Sequence, residues 1–393
     1  MSFKVKPMYA CFLSIFTAGF GFGIVLPVST VVLENMRVST PMIGLTATAM
    51  FIGIAIGAPL VGRSIELLGL RRTLTVGVLL AGICMGSLGL WVNLPAWLFV
   101  RFILGIAFAS IFTSAETIVN RICTDQNRGK ILGLYAFSFS LALMIGPVGL
   151  WLLKLGVWTP FLVAGAICVA AAAVVFASVP HLEEESQGLP FDRHLARRIW
   201  VSLVAMLMAG FMEGALIALI PLYTLREGFT TEQTSILLFS FMLGHGGMPP
   251  VIGTLGDRIG LRRVLGLTYI LGMISLTAVL LLPTTMLLTG ILILCGASVG
   301  ALYPLSVGLL GIELTSAELP RGNALTTFCY GLGSTIGPFV PALIIHVTVP
   351  GSLFAVTAGL YALVFVSILF SRKKSIVNNK TRSTASSGIR QTT

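Results

Sequence analysis

The chain has 393 residues, of which 56% are hydrophobic and only 10% charged, and its net charge is +11. A soluble domain carries about a quarter charged residues, so this composition excludes a globular protein in water. The 43 glycines suit helices packed closely in lipid.

Apolar segments of the length that crosses a hydrocarbon core about 30 Å thick follow one another along the chain. The first, near 8–31, is too long for a signal peptide, contains Pro27 and has no small-residue cleavage site after it, so it reads as a retained helix. Further spans fall near 41–61, 73–92, 94–117, 131–153 and 159–179, the third and fourth separated only by Asn93–Pro95. A long polar connection at 180–198 follows. Spans then resume near 199–222, 234–252, 264–282, 285–308, 323–346 and 352–370. The expectation is an all-α integral membrane protein of twelve transmembrane helices in two pseudo-symmetric six-helix bundles. It divides into a first bundle (1–179), a cytoplasmic linker (180–198), a second bundle (199–370) and a disordered cytoplasmic tail (371–393) rich in Ser, Thr, Asn, Lys and Arg.

The basic residues test that topology. With the N-terminus inside, 21 Lys and Arg fall on the cytoplasmic side, three (Arg37, Lys154, Arg226) fall outside, and Arg101 lies within a span. This is the positive-inside pattern. It accounts for the net charge without nucleic-acid binding and predicts a multi-pass protein of the inner (plasma) membrane with both termini cytoplasmic. Arg372-Lys373-Lys374 reads as an anchor at lipid headgroups. The six cysteines are scattered singly, with no CxxC or metal-ligand spacing, so no metal or cofactor is expected.

The two halves echo each other at a constant offset of 191 residues. Gly19-Phe20 and Gly23 recur as Gly210-Phe211 and Gly214, and Gly146-Pro147 as Gly337-Pro338. Gly62 with Gly69-Leu70-Arg71-Arg72 recurs as Gly253 with Gly260-Leu261-Arg262-Arg263. Parallel repeats of this kind hold a substrate site between them at the bilayer midplane. The second copy, from Gly253 through Asp257, Arg258, Gly260, Arg262 and Arg263, resembles the signature loop Gly-x-x-x-Asp-Arg-x-Gly-x-Arg-Arg of the major facilitator superfamily. The first copy keeps the acid as Glu66 but has Leu67 in place of the basic residue. Within that family the chain is most similar to bacterial inner-membrane efflux-type permeases. The resemblance implies a monomeric secondary transporter with a small-molecule substrate, whose signature loops act as cytoplasmic gates. It also implies a cavity lined by helices 1, 4, 7 and 10. Gly146-Pro147 with Gly149 resembles the fifth-helix antiporter motif of drug exporters, although Ala142 and Leu150 stand where that motif has glycine. Helix kinking by Gly146, Pro147, Gly337 and Pro338 explains the same residues.

Ionisable residues within spans are functional candidates by default, because each costs several kcal/mol there. They are Arg101, Glu116, Glu213 and His245. A carboxylate in an apolar cavity holds a proton more readily than in water, which makes Glu213 a candidate for proton or substrate binding; a static pair with Arg101 is the alternative. Arg101-Phe-Ile-Leu-Gly105 resembles the family's basic fourth-helix motif. Glu116 reads as a gate salt bridge near Arg121 or as a substrate contact. His245 reads as a proton shuttle or a packed histidine. Tyr135, Tyr303, Asn93 and Trp97 are further candidates for substrate contact. The position equivalent to Glu213 in the first half is Phe22, so the first helix offers no acid.

The function expected is proton-coupled export of a small organic solute. Import of a sugar, organic anion or similar metabolite, and a non-transporting sensor on the same fold, are the alternatives. No clustered catalytic set and no P-loop occur, so neither an enzyme nor an ATP-driven pump is expected.

Overall fold

The computed structural model describes residues 5–123, 128–179, 193–281, 285–315 and 318–369. The expected linker lies outside these residues apart from a short helix, Arg193–Arg198, and the expected tail at 371–393 lies wholly outside them.

Among the described residues ten helices are long and apolar enough to cross a membrane. The longest, Thr40–Leu90, holds two spans, because Gly69 leaves the helical path at φ 77° and ψ 161°. Another, Thr231–Ile259, has the length with a more polar composition. Splitting the first and adding the second yields twelve. In chain order they are α1 (Val5–Asn35), α2 (40–68), α3 (70–90), α4 (Leu94–Ile122), α5 (128–155) and α6 (Thr159–Ser178). The second six are α7 (Trp200–Arg226), α8 (Thr231–Ile259), α9 (Leu261–Leu281), α10 (Thr285–Glu313), α11 (319–347) and α12 (Ser352–Leu369).

Local chemistry explains the boundaries. The short break before α4 holds because Asn93 Oδ1 accepts a bond from the Ala96 N–H and Pro95 fills the first turn, where no donor is needed. A reciprocal capping box between Thr230 and Gln233 opens α8. Gly69 and Gly260 (φ 87°) occupy the left-handed region that favours glycine, so the same turn joins α2 to α3 and α8 to α9. Towards their C-terminal ends, α5 tightens into a 3-10 turn at Gly146–Val148 and α11 is interrupted at Gly337–Pro338.

Packing within each half runs along glycine seams. A Cβ at Gly53 on α2 would overlap the Phe102 carbonyl, and one at Gly105 on α4 the Met50 carbonyl. Their equivalents at the repeat offset do the same: Gly244 against Ile293 and Gly296 against Phe241, between α8 and α10. Close approach of this kind is how helices associate without a hydrophobic driving force in lipid.

The halves meet where α1 packs on α7, α2 on α11 and α5 on α8. Arg226 forks onto both Glu34 oxygens (2.7 and 3.0 Å) and donates to Thr40 Oγ1 at 2.9 Å. Lys154 pairs with Glu232 at 2.7 Å. Ser235 donates to the Pro147 carbonyl, Thr48 to that of Thr335 and Thr30 to that of Ala218. All of these contacts lie towards the end of the bundle that carries the α1–α2 and α7–α8 turns. At the opposite end, beyond Gly69 and Gly260, Arg262–Glu313 lies within the second half and Arg198–Glu318 ties the linker helix to it.

Candidate functional site

Glu213 lies midway along α7 with its side chain 12% exposed. Its Oε2 accepts a 2.8 Å bond from the Tyr330 hydroxyl on α11 and stands 3.6 Å from His245 Nε2 on α8. That second distance is too long for a hydrogen bond but short enough for an ion pair when the imidazole is protonated. Tyr330 meets the ring of Tyr303, on α10, edge-on at 5.8 Å, and His245 stacks on Phe241. Glycine seams hold these groups in place. A Cβ at Gly210 would overlap the Tyr330 carbonyl, and one at Gly300 the His245 carbonyl, so α7–α11 and α8–α10 stand at the separation the cluster needs.

Tyr303 is half exposed and lies within electrostatic reach of Glu213 and, across the halves, of Glu116 on α4. Glu116 is exposed and also reaches Tyr135 on α5. Together these side chains bring groups of both halves towards one another. In the first half the corresponding positions form an aromatic cluster: the buried Phe22 contacts Phe112 at 6.5 Å and Phe139 at 6.4 Å, and Phe112 meets Phe139 edge-on at 5.7 Å. At the 191-residue offset Phe22, Phe112 and Phe139 correspond to Glu213, Tyr303 and Tyr330. One triad thus occurs twice, apolar in the first half and polar in the second.

Arg101 is not brought to Glu213. It is 1% exposed and donates through Nη1 to Thr46 Oγ1 on α2 at 2.8 Å; its Nε and Nη2 have no hydrogen-bond partner. The Gly53–Gly105 seam presses α4 against α2 one turn away and seals the guanidinium between them. The static pair of Arg101 with Glu213, the alternative raised from the sequence, is not formed. Depth along the helix axis does not tell towards which neighbour a side chain turns.

Of the signature-loop residues, Gly69 and Gly260 form the two turns, and Gly62 lies within α2. Arg71 lies over the Phe176 ring at 4.1 Å, whereas Arg262 pairs with Glu313 at 2.7 Å. Glu66, Arg72, Arg258 and Arg263 are exposed, Gly253 lies within α8, and the side chain of Asp257 lies outside the described set. Asn93 serves as the α4 cap, and Trp97 is buried, donating to the Leu88 and Trp91 carbonyls. A surface cavity at the latched end, lined by Val32, Leu150, Lys154 and Glu232, holds none of the Glu213 cluster.

Tyr330 and the phenylalanine wall were not singled out from the sequence. The offset that paired Phe22 with Glu213 would have found both, had it been applied to every residue packed around them.

The profile of the Major Facilitator Superfamily matches residues 11–230 and again 202–391. An uncharacterized MFS-type transporter of Bacillus subtilis, YfkF, is 27% identical over 379 residues, covering 94% of this chain and 96% of its own. An uncharacterized MFS-type transporter of Yersinia pestis is 26% identical, covering 86% and 89%. Among solved structures, the nucleoside transporter NupG superposes with a TM-score of 0.75 at 13% identity, covering 94% of this chain and 98% of that one. A bacterial homolog of the human lysosomal transporter Spinster, inward-facing and unoccupied, superposes with a TM-score of 0.67 at 14% identity, covering 94% of each. The chain belongs to the Major Facilitator Superfamily of membrane transporters.

Proposed function

We propose that this protein is a proton-coupled secondary transporter that exports a small organic solute through the chamber between its halves by alternating access. The observation that carries this reading is the Glu213 cluster. An intramembrane carboxylate bonded to Tyr330 and 3.6 Å from an imidazole faces the space between the two halves. A charge at that depth costs several kcal/mol, and a carboxylate answers by binding a proton. Protonation removes the charge that the Tyr330 hydroxyl and His245 face; release restores it. A rocking motion that changes which side of the membrane reaches Glu213 therefore couples proton movement to solute movement.

The 21-to-3 distribution of basic residues supports a cytoplasmic location for the end carrying the Gly69 and Gly260 turns, and for both termini, in an inner (plasma) membrane. In that orientation the end latched by Glu34–Arg226 and Lys154–Glu232 faces outward, and the chamber opens to the cytoplasm. Export is favoured by the likeness of Gly146-Pro147 to the antiporter motif, at the point where α5 tightens and touches α8 through Ser235. The halves at 1–179 and 199–370 are the moving bodies of a monomer, and Arg101 and Glu116 are supporting groups of the first.

The test is proton flux in inverted vesicles containing the purified protein, screened against a library of metabolites and drugs. Compounds should collapse an imposed pH gradient in wild type and not in Glu213→Gln. Flux unchanged in the variant makes Glu213 structural and sinks the coupling role.

A further inference from the structure

We infer that the transported solute is an amphipathic organic cation, its charged group at Glu213 and its apolar body against the part-exposed rings of Phe112 and Phe139, which are backed by the buried Phe22. The inference rests on the chamber reading above and goes beyond it in naming the substrate class.

Two observations carry it. The first is the charge inventory of the chamber. Glu213 and Glu116 supply its carboxylates, one on each side. Arg101, the cation within a span, is sealed against Thr46 at 1% exposure and offers nothing to an incoming anion. His245 stands 3.6 Å from Glu213 itself. Among the described residues around Glu213 and Glu116, an anionic solute would meet two carboxylates, whereas a cation has a partner on either side.

The second observation is the asymmetry between the repeats. Three equivalent positions are Glu213, Tyr303 and Tyr330 on one wall and Phe22, Phe112 and Phe139 on the other. A sugar or similar polyhydroxylated solute needs hydrogen-bonding groups on both sides, because polar groups buried without partners are costly. The phenylalanine wall supplies none. It suits an apolar or aromatic body, which packs against the ring faces. The Tyr303 ring, half exposed and edge-on to Tyr330, extends that aromatic lining to the polar side.

The test uses isosteric ions of opposite charge. Equilibrium dialysis of the full-length protein in detergent would measure binding of tetraphenylphosphonium and of tetraphenylborate. The phosphonium should bind saturably and the borate should not. Glu213→Gln should weaken phosphonium binding about tenfold, and Glu213→Asp, which keeps the charge, should restore most of it. Phe139→Ala should weaken tetraphenylphosphonium several-fold and leave tetramethylammonium, which has no aromatic body, unaffected. Equal or tighter borate binding overturns the inference, as does phosphonium binding indifferent to Glu213→Gln in protein that elutes as a single species. A neutral or anionic library compound that drives Glu213-dependent proton flux would overturn this substrate class and leave the coupling reading standing. Phosphonium binding that behaves as expected without Glu213-dependent flux for any compound would do the reverse.

Discussion

Arg101 and Glu213 both carry charge inside the membrane, and their surroundings separate them. Glu213 has a donor on one side, an imidazole on the other and an opening to the chamber. Arg101 has a single bond, to Thr46, and two guanidinium nitrogens without partners. A buried unsatisfied donor costs about 1–3 kcal/mol, and exchanging a buried charge for an apolar group of similar volume is often neutral or stabilising. Arg101→Met should therefore keep or raise the melting temperature of the solubilised protein while transport falls. A melting point lowered by many degrees would instead make Arg101 a structural clamp. The sequence marked both residues, because a charge in an apolar span is conspicuous. Tyr330 escaped notice because a tyrosine in a membrane helix is unremarkable until the carboxylate it bonds, 117 residues away, is brought beside it.

At the scale of elements, glycine has two separate duties. In the turns at Gly69 and Gly260 it supplies a positive φ; in the seams it supplies the absence of a side chain. Two glycines of α10 separate packing from propensity. Gly296 sits against the Phe241 carbonyl of α8, whereas a Cβ at the exposed Gly290 would meet nothing within 4 Å. Gly296→Ala should destabilise by about 1–3 kcal/mol through overpacking. Gly290→Ala should be neutral or gain up to about 1 kcal/mol of helix propensity. Thermal unfolding of both variants in one detergent compares them directly, and equal effects would refute the seam. The clasp of the Arg193–Arg198 helix onto the start of α11 is a pH-dependent element. The Arg198 guanidinium, helped by the Thr315 N–H and hydroxyl, holds the Glu318 carboxyl down at about 2 from an ordinary value of 4.5. A carboxyl whose affinity for protons is lowered by folding contributes above its ordinary value and loses that contribution as pH falls towards the folded one. Hydrogen-exchange protection factors around Arg198, corrected for the intrinsic pH dependence of exchange, should thus be flat from pH 7 to about 5 and fall only below that, and Arg198→Gln should abolish the step.

At the scale of the whole molecule, the latched end decides which side of the chamber is closed. The forked Arg226–Glu34 pair, reinforced by Thr40, is less exposed than Lys154–Glu232 and is the stronger latch. Arg226→Glu replaces attraction with repulsion and should shift the open-to-closed ratio at this end about tenfold, the equivalent of ~1.4 kcal/mol. Adding Glu34→Arg should reverse the shift. Electron–electron distance distributions between labels at Asn35 and Thr231 would report both; a single variant that leaves the distribution unmoved would remove the latch from the mechanism. Sequence alone determined the membrane class, the twelve spans, the repeat and the positions of the two glycine turns. Each of these follows from one-dimensional quantities: apolar run length against bilayer thickness, charge counted along the chain, and identity at a fixed offset. Only the tertiary structure decided that Arg101 turns to Thr46, that Glu213 bonds Tyr330, that an aromatic wall stands opposite, and which end is latched. Those depend on the rotation of each helix about its own axis and on contacts between residues more than a hundred positions apart, which no linear pattern encodes.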